Sequence, residues 1–460
     1  MDEKQSANMK PATTIFLVLL MAATVAEARS WMDKQGRSVE AEVVKVNPDR
    51  TVVLKTEKGK VVTVPFDTFE LMDVEHLDYL LSRRGRGKPH PVAWYEMNDL
   101  FGFEIWQDDR LWDDPTTASA ERMKMKKESK TDFMENHRAY PLGKEKILGE
   151  QVFTTALYGG TEYTESLSLV FLNRGDPLEL KGRKRAPSAE QIEDCGMRIH
   201  DALASRLGKP KRDSLGKGDL REKVWRWDWN EHAIMLSLQE GKYVALRIMP
   251  VERADRGGRI EKLDDDELKK RIATCVERRD NGDVVIRNIP MVNQGPKGYC
   301  VPATWERYLR YIGIPVDMYL LALAANTGTG GGTSVQQMID AARNIISSNG
   351  RKLREIDSLP TMDNLSRNID RGMPVMWTLM SSPGFRKAIY ENTARRSGEE
   401  PEEKDFGKGS DGHICLIIGY NLQTGEIATS DSWGPKYAER WVSLQNLQNA
   451  TWGAMSIIRW

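Results

Sequence analysis

Short runs of apolar residues separated by polar turns occupy the N-terminal part of the chain. The runs lie at residues 39–43, where apolar and charged positions alternate, and at 51–54 and 61–65, and the turns between them contain Asn-Pro-Asp and Glu-Lys-Gly-Lys. Strands this short and this closely spaced favour a small β-barrel. We therefore predict an N-terminal barrel domain over residues 29–82, with a short helix that ends at Leu81.

The segment that follows mixes strand and helix patterns. Strand patterns lie at residues 153–158, 167–172, 224–229, 233–236 and 243–248, and a helix pattern with Ser188 in the capping position covers residues 188–207. Trp225, Trp227 and Trp229 recur at every second position, so they share one strand face and are expected to form sheet core. These patterns predict a mixed α+β middle domain over residues 92–275 without a recognisable site. Residues 83–91, rich in Arg, Gly, Lys and Pro, predict a linker before it.

The C-terminal part combines one strong helix pattern with one strong hairpin pattern. Apolar residues recur at helical spacing directly after Cys300, and Pro302 suits the first turn of the helix that they predict. Residues 412–420 form a strongly apolar strand that begins with Gly412-His413. Residues 426–430, after a short polar turn, predict its hairpin partner, which ends at Asp431.

Cys300 stands where a helix would lower the pKa of a thiol. The N–H groups and the positive end of the dipole at a helix start favour the thiolate, which is the nucleophilic form. Gln294 lies six positions upstream across a glycine-containing loop. Its side-chain amide and the backbone N–H of Cys300 can donate to the oxygen of an attacked carbonyl, so together they predict an oxyanion hole.

His413 and Asp431 complete this nucleophilic set. The chain has six histidines, and His413 is the one that opens an apolar strand. Its imidazole can take the thiol proton, and Asp431, at the end of the neighbouring strand, can hold the imidazole's tautomer and orientation. The order along the chain is therefore Cys, His and Asp.

These residues, in this order and context, resemble the papain-like cysteine peptidases, in particular the bacterial branch related to the C39-type leader peptidases. The resemblance implies a papain-like fold over residues 286–460 and hydrolysis of peptide bonds without a metal or organic cofactor. It implies Cys300 as nucleophile, His413 as base, Asp431 as orienting group and Gln294 as oxyanion donor. Asp431 departs from papain, which has asparagine there, so Asp431→Asn is expected to keep substantial activity.

The N-terminal module carries a second resemblance. Trp31 at its start, the turn at Gly59 and the Val64-Pro65-Phe66 ending are similar to the SLA1 homology domain 1, an SH3-like barrel. In yeast adaptors that family binds short peptides. A peptide ligand of the N-terminal barrel is therefore one open reading, and a purely structural barrel is the other.

Two further features near the catalytic candidates need an interpretation. The glycine-rich run at residues 327–333 lacks the Gly-Lys-Ser/Thr ending of a phosphate loop, so it is interpreted as a substrate-binding loop formed by Gly330, Gly331 and Gly332, or as a flexible connection. Cys415 lies two residues after His413 on the same strand face and is expected to pack rather than react.

Composition restricts the expected partners, and the N-terminal sequence indicates the compartment. Lys and Arg number 67 and so do Asp and Glu, so no net field attracts nucleic acid. An apolar run ending in Ala26-Glu27-Ala28 predicts a signal peptide over residues 1–28, with Met1 or Met9 as the start, and the run is too short for a stable membrane span. We therefore expect an exported protein, periplasmic or extracellular. A Cys195–Cys275 disulfide is open at this stage.

The sequence as a whole predicts an α+β multidomain protein: an SH3-like β-barrel, a mixed middle domain and a papain-like cysteine peptidase domain. The predicted partner is a peptide or protein substrate. Two alternatives remain open from the residues alone. The same triad could transfer the acyl group to an amine or deamidate a side chain, or the C-terminal fold could be inactive and serve an envelope interaction protein.

Overall fold

The structure is a computed structural model that describes twelve stretches of the chain. They are residues 29–70, 73–74, 77, 81, 90–140, 146–175, 178–180, 183–216, 218–259, 264–295, 298–328 and 332–460. The predicted signal peptide (1–28) lies outside the described residues, as does the predicted linker (83–91) apart from its last two positions. The chain divides into two compact units, residues 1–88 and residues 89–460.

The N-terminal unit is an open antiparallel sheet of four strands in sequence order. They are β1 (Arg29–Met32), β2 (Ser38–Asn47), β3 (Thr51–Thr56) and β4 (Val61–Pro65), followed by a 3₁₀ turn at Phe66–Thr68. Trp31 is fully buried in this unit, and its indole N–H donates to the carbonyl of Ala41 at 2.9 Å. The predicted strands are confirmed.

The closed barrel is not confirmed. An isolated bridge joins Asp33 to Phe69, but within the described part of the unit no strand ladder joins β1 to β4. The strand spacing in the sequence was compatible with a barrel because a four-stranded meander and a small barrel share the same short strands and turns. The pairing of the edge strands, which distinguishes the two, leaves no mark on that spacing.

The middle part, residues 92–275, is built around a second antiparallel sheet. Its helices and strands are α1 (Trp94–Phe101), α2 (Thr116–Arg122), β5 (Lys126–Lys130), β6 (Glu135–Ala139), β7 (Lys146–Ile147), β8 (Glu150–Gln151), β9 (Thr154–Gly159), β10 (Thr164–Asn173), β11 (Leu178–Leu180), β12 (Arg183–Arg185), α3 (Ala189–Leu207), β13 (Lys211–Leu215), β14 (Glu222–Trp229), β15 (His232–Gln239), β16 (Tyr243–Pro250), α4 (Val251–Asp255) and α5 (Asp265–Thr274), with 3₁₀ turns at Leu111–Asp113 and Gly218–Leu220. Eight strands form the sheet in the order β13-β14-β15-β16-β10-β9-β6-β5. We call this the middle sheet.

The predictions for the middle part are confirmed where the structure tests them. The side chain of Ser188 accepts a hydrogen bond from the backbone N–H of Gln191 and caps α3, as the sequence indicated. Trp227 and Trp229 are buried on one face of β14, and Trp225 packs against the same core. Strands β9 and β10 pair as predicted.

The C-terminal part forms a third sheet with helices packed on it. Its elements are β17 (Val276–Arg278), β18 (Asp283–Ile286), α6 (Cys300–Tyr311), α7 (Met318–Ala324), α8 (Val335–Ser348), β19 (Lys352–Ile356), α9 (Met362–Ile369), β20 (Val375–Ser381), α10 (Pro383–Arg396), β21 (Asp411–Asn421), β22 (Glu426–Ser430), β23 (Arg440–Ser443), α11 (Leu444–Ala450) and β24 (Met455–Arg459), with a 3₁₀ turn at Pro435–Tyr437. The main path is β17-β18-β21-β20-β24-β19, and β22 pairs with β21 and β23. We call this the C-terminal sheet.

The apolar face predicted for the helix after Cys300 is the face that the C-terminal core buries. Trp305, Tyr308 and Leu309 have no exposed surface, and they pack with residues of β20 and β21. The middle and C-terminal parts, predicted as two domains, have their own sheets and cores but lie in one compact unit. The architecture is therefore a mixed α/β multidomain protein with open sheets. Among the described residues, no helix combines the length and the apolarity that crossing a membrane requires.

Candidate active site

Cys300 occupies the first position of α6, as the sequence predicted. Tyr299 precedes it as the N-cap residue, and the Tyr299 carbonyl accepts a hydrogen bond from the Ala303 N–H at 3.0 Å. The thiol is half-buried, whereas the other three cysteines are buried. Cys300 therefore combines access with the position at which unpaired N–H groups and the helix dipole favour an anion.

His413 lies on β21 and Asp431 directly follows the neighbouring strand β22, and both side chains are almost fully buried. The distance between His413 Nε2 and Asp431 Oδ1 is 2.5 Å. The thiol of Cys300 lies close enough to the imidazole to contribute to its raised pKa. Because Nε2 is occupied by the carboxylate, Nδ1 is the ring nitrogen available to the sulfur. The structure thus brings the three predicted side chains into one chain of contacts.

The electrostatics of this set favour a charged imidazole. Burial alone would lower the pKa of His413, but the contacts with Asp431 and Cys300 outweigh it and raise that pKa to about 9. Burial would likewise raise the pKa of the Asp431 carboxyl, but Arg440 and His413 hold it well below its ordinary value. An imidazolium next to a half-buried thiol is the partner that a thiolate needs.

Arg440 is a part of the site that the sequence analysis missed. Its guanidinium forms an ion pair with the second oxygen of Asp431 and lies over the rings of Trp433 and Tyr437. Asp431 therefore has a cation on each side, the Arg440 guanidinium and the His413 imidazolium. Arg440 lies nine residues after Asp431, on the next strand. Arginine is common on exposed strands, so this spacing gave no reason to select Arg440 as a site residue.

Trp433 covers the imidazole. The two rings are stacked, with centroids 4.6 Å apart and planes inclined by 21°. The indole excludes water from one face of His413, and this strengthens the hydrogen bond between the imidazole and Asp431 by lowering the local dielectric. The sequence contained a signal for this role in the Asp431-Ser432-Trp433-Gly434 run, but the stacking itself depends on the turn after β22.

Gln294 is held against the residue that follows Asp431. Its backbone N–H donates to the carbonyl of Ser432, and its side-chain Oε1 accepts from the Ser432 hydroxyl, both at 2.8 Å. Because the amide oxygen is fixed by Ser432, the orientation of the amide plane and of its NH₂ donor is fixed too. The predicted oxyanion donor therefore lies next to the His413–Asp431 pair, positioned by a serine that the sequence analysis did not single out.

The glycine-rich run is described only in part. Gly330 and Gly331, two of the three predicted substrate-binding residues, lie outside the described residues. Gly332 is described, with a φ of +89°, and its N–H donates to the carbonyl of Gly298 at 3.1 Å. The end of the run thus reaches the loop that leads into Cys300, and a left-handed φ of this size favours glycine there.

Buried Arg307 joins the nucleophile's helix to the strand that ends at Asp431. Its guanidinium donates to the carbonyl of Pro290 at 3.0 Å, to the carbonyl of Ser430 at 3.1 Å and to the Ser430 hydroxyl at 2.5 Å. Burial lowers the pKa of Arg307 to about 10. The three hydrogen bonds fix the spacing between α6 and the end of β22, and therefore between Cys300 and the His413–Asp431 pair.

The middle sheet also reaches the site, through the loop that contains Gln294. On β5, the Glu128 carboxylate accepts from the backbone N–H of Asn293 at 2.6 Å, and the Tyr140 hydroxyl donates to the Asn293 carbonyl at 2.6 Å. Both backbone groups of the residue before Gln294 are therefore held by the middle part. The sequence analysis, which treated residues 92–275 as separate, did not anticipate this support.

A buried ion network extends the same support to α6. Arg138 on β6 pairs with Glu128 at 2.9 Å and with Glu306 of α6 at 3.3 Å, and Glu306 also accepts from Arg310 at 3.0 Å. All of these pairs lie away from solvent. Removing one partner of a buried pair leaves an uncompensated charge, so such a network fixes geometry even where its net contribution to stability is small.

The remaining cysteines have structural surroundings. Cys415 is buried in the C-terminal core, and burial raises its thiol pKa well above the ordinary value, in agreement with a packing role. Cys195 packs in the core of the middle part and Cys275 in the core of the C-terminal part, and both are free thiols. The disulfide left open by the sequence is therefore not formed. In the described part of the chain, no group of three or more His, Cys, Asp or Glu side chains could hold a metal ion.

The C-terminal part matches a known family. Residues 286–457 match the model of the Peptidase_C39 like family. These residues therefore have a C39-like, papain-like cysteine peptidase fold. No curated protein matches the sequence.

Two solved structures show weak likeness to the chain. The peptidase domain of Streptococcus ComA, a bi-functional ABC transporter involved in a quorum sensing pathway, is 15% identical, with a TM-score of 0.25, and the likeness covers 37% of this chain and 98% of that one. Xylellain, a cysteine protease from Xylella fastidiosa, is 11% identical, with a TM-score of 0.29, and the likeness covers 43% of this chain and 94% of that one.

Proposed function

We propose that the protein is an exported cysteine peptidase that hydrolyses peptide bonds with Cys300, His413, Asp431 and Gln294. The observation that carries the proposal is the His413–Asp431 hydrogen bond of 2.5 Å, with the half-buried thiol of Cys300 at the start of α6 close to the same imidazole. The family match over residues 286–457 supports the same class of reaction. Export is proposed from the apolar run that precedes the described residues.

The reaction follows from the charges of these groups. The Cys300 thiolate attacks the carbonyl carbon of the peptide, and the oxyanion that forms accepts hydrogen bonds from the Cys300 N–H and the Gln294 amide. The His413 imidazolium then gives its proton to the leaving amine. Neutral His413 next takes a proton from water, which attacks the acyl-enzyme and releases the acid and the free thiol.

Asp431 and Arg440 have complementary roles in this cycle. Asp431 stabilises the imidazolium, and Arg440 compensates the charge of Asp431, so the resting set of thiolate, imidazolium, carboxylate and guanidinium is neutral. A neutral set is easier to bury than one with a net negative charge. This is how a papain-like site can use aspartate where papain has asparagine.

The experiment that tests the proposal is labelling with an electrophilic peptide at neutral pH, followed by mass spectrometry of the modified residue. We expect Cys300 to be labelled first, and His413→Ala to slow its labelling strongly. Amino-acid analysis of products formed with and without an added primary amine then distinguishes hydrolysis from acyl transfer. Preferential labelling of another cysteine would show that the site is wrongly assigned.

A further inference from the structure

A cavity lies between the middle sheet and the C-terminal end of α6, away from Cys300. Its volume is about 430 Å³, within the range of small-molecule sites. Its charged lining is mainly arginine: Arg253, Arg256, Arg259, Arg271, Arg310 and Arg351. Nothing in the proposed peptidase reaction uses this cavity.

The protein itself neutralises half of these arginines. Arg253 pairs with Glu165 at 2.5 Å, Arg310 with Glu306 at 3.0 Å and Arg351 with Asp265 at 2.7 Å. Each of these carboxylates lies close enough for a short, charge-assisted hydrogen bond. These three arginines therefore bring little unbalanced charge to the cavity.

The other three arginines are not balanced in this way. In the part of the chain that the structure describes, Arg256, Arg259 and Arg271 form no ion pair with a carboxylate. Arg256 and Arg259 donate through Nε to backbone carbonyls, and the Arg271 guanidinium lies 3.8 Å from the centroid of the Phe133 ring.

Two of the three glutamates in the lining are already engaged. Glu165 pairs with Arg253, and Glu135 pairs with Lys130, which lies outside the lining, at 3.1 Å. Glu252 is then the one glutamate left to face three arginines, so the cavity carries an excess of positive charge.

Arg256 and Arg259 are exposed, whereas Arg271 and the paired Arg253 and Arg351 are at least partly buried. Burial lowers the pKa of Arg271, and burial followed by the nearby Arg310 and Arg256 lowers that of Arg253 against the opposing effect of Glu165. The buried Nε of Arg351 also has no hydrogen-bond partner among the described residues. Leu268, Ile312 and Ile314 give the same cavity an apolar side.

We propose that this cavity binds a small organic anion with two or more carboxylate or phosphate groups beside an apolar portion. Guanidinium groups form forked hydrogen bonds with carboxylate and phosphate oxygens, and three arginines opposed by one glutamate can pair with more than one negative charge. The apolar side chains accommodate the remainder of the ligand. The site is independent of Cys300, so the proposal stands or falls separately from the peptidase activity.

The test is isothermal titration calorimetry of the full chain at low ionic strength, with inorganic pyrophosphate and citrate as separate probes. We expect saturable binding of at least one probe and weaker binding as NaCl is added, because salt screens charge attraction. Whichever probe binds more tightly identifies the preferred acid group. If neither probe binds with a Kd below about 10 mM, that is, with a binding free energy stronger than about 3 kcal/mol, the proposal is overturned.

Substitutions locate the binding. Arg256→Gln with Arg271→Gln should weaken it roughly tenfold or more, as expected for the loss of charge-assisted hydrogen bonds. Arg367→Gln, which removes one positive charge from an exposed pair with Asp363, should change it less than about twofold. Because Arg271 packs on Phe133, the exposed pair Arg256→Gln and Arg259→Gln provides a second variant with an intact apolar side. Binding as tight as in the wild type in both double variants would show that the probes bind elsewhere.

Discussion

The middle sheet and the C-terminal sheet have eight strands each and are antiparallel, but their connections differ. In the middle sheet, β13 to β16 are consecutive neighbours, so residues close in sequence become neighbours in space. In the C-terminal sheet, β21 lies between β18 and β20, and helices intervene along the chain. The middle sheet is therefore built more from hairpins of consecutive strands, whereas the centre of the C-terminal sheet joins segments that are distant in sequence.

This difference explains where the candidate catalytic side chains lie and where the residues that support them lie. The C-terminal sheet brings Cys300, His413 and Asp431 together from separate segments, while the middle sheet provides Glu128 and Tyr140 to hold the loop that contains Gln294. The candidate catalytic side chains therefore belong to the C-terminal part, and the support of the loop that contains Gln294 belongs to the middle part.

The largest expected effect tests the chemical role of the C-terminal sheet. Cys300→Ala should lower turnover on the order of a thousandfold or more, with little change in the melting temperature, because the thiol is half-buried and the nucleophile is lost. Cys415→Ala is the matched control, since Cys415 is a buried cysteine of the same C-terminal part. It should keep its turnover and lose stability instead. Peptide hydrolysis and thermal unfolding measure the two effects, and near-normal turnover of Cys300→Ala would end the assignment.

The next effect concerns Arg440, the cation that the sequence analysis missed. Asp431→Asn leaves the half-buried Arg440 without its carboxylate and removes the charge that stabilises the imidazolium, so we expect turnover to fall roughly a hundredfold. This differs from the sequence-based expectation of substantial activity. Asp431→Asn with Arg440→Gln removes the unpaired charge and should recover roughly tenfold of the loss. If the double variant is no more active than Asp431→Asn, Arg440 does not have the compensating role.

A smaller effect should come from the middle sheet. Glu128→Gln keeps an acceptor for the Asn293 N–H but removes the ion pair with Arg138, so turnover should fall roughly tenfold through a displaced oxyanion loop, while the alkylation of Cys300 by iodoacetamide changes little. Glu150→Gln, which breaks an exposed pair with Arg198 in the same part of the chain, is the control and should have no effect. If turnover and alkylation fall equally, Glu128 stabilises the fold in general and does not specifically support the loop that contains Gln294.

The smallest effect is a shift of the pH profile. Since the pKa of His413 is raised to about 9, activity should persist below that pH and decline as pH rises through it, when the imidazolium loses its proton. Glu128→Gln should leave this decline in place, because Glu128 does not contact His413. The Asp431→Asn and Arg440→Gln double variant should move it to lower pH. The pH profile of kcat/KM for the wild type, Glu128→Gln and the double variant measures the shift. If the decline occurs at the same pH in all three proteins, it does not arise from His413.

Much of the candidate site could be predicted because its chemistry lies in local context. Cys300 at a helix start, His413 at the beginning of an apolar strand and Asp431 at the end of the next strand each depend on short-range patterns. Arg440, Ser432 and the support by Glu128 could not be predicted, because their roles arise from contacts between segments with no sequence relation. The closed N-terminal barrel was expected for a similar reason: strand spacing does not encode how edge strands pair.

The sequence by itself determined the strands, the helix face behind Cys300 and the order of the chemical groups, since hydrophobic periodicity and turn residues act over a few positions. The tertiary structure alone decided three other things. It placed Arg440 against Asp431, it packed the middle sheet against the loop of Gln294, and it collected six arginines around one cavity. Each of these depends on burial and on charges brought together from distant segments, and electrostatic energies of that kind exist only once the chain has excluded water.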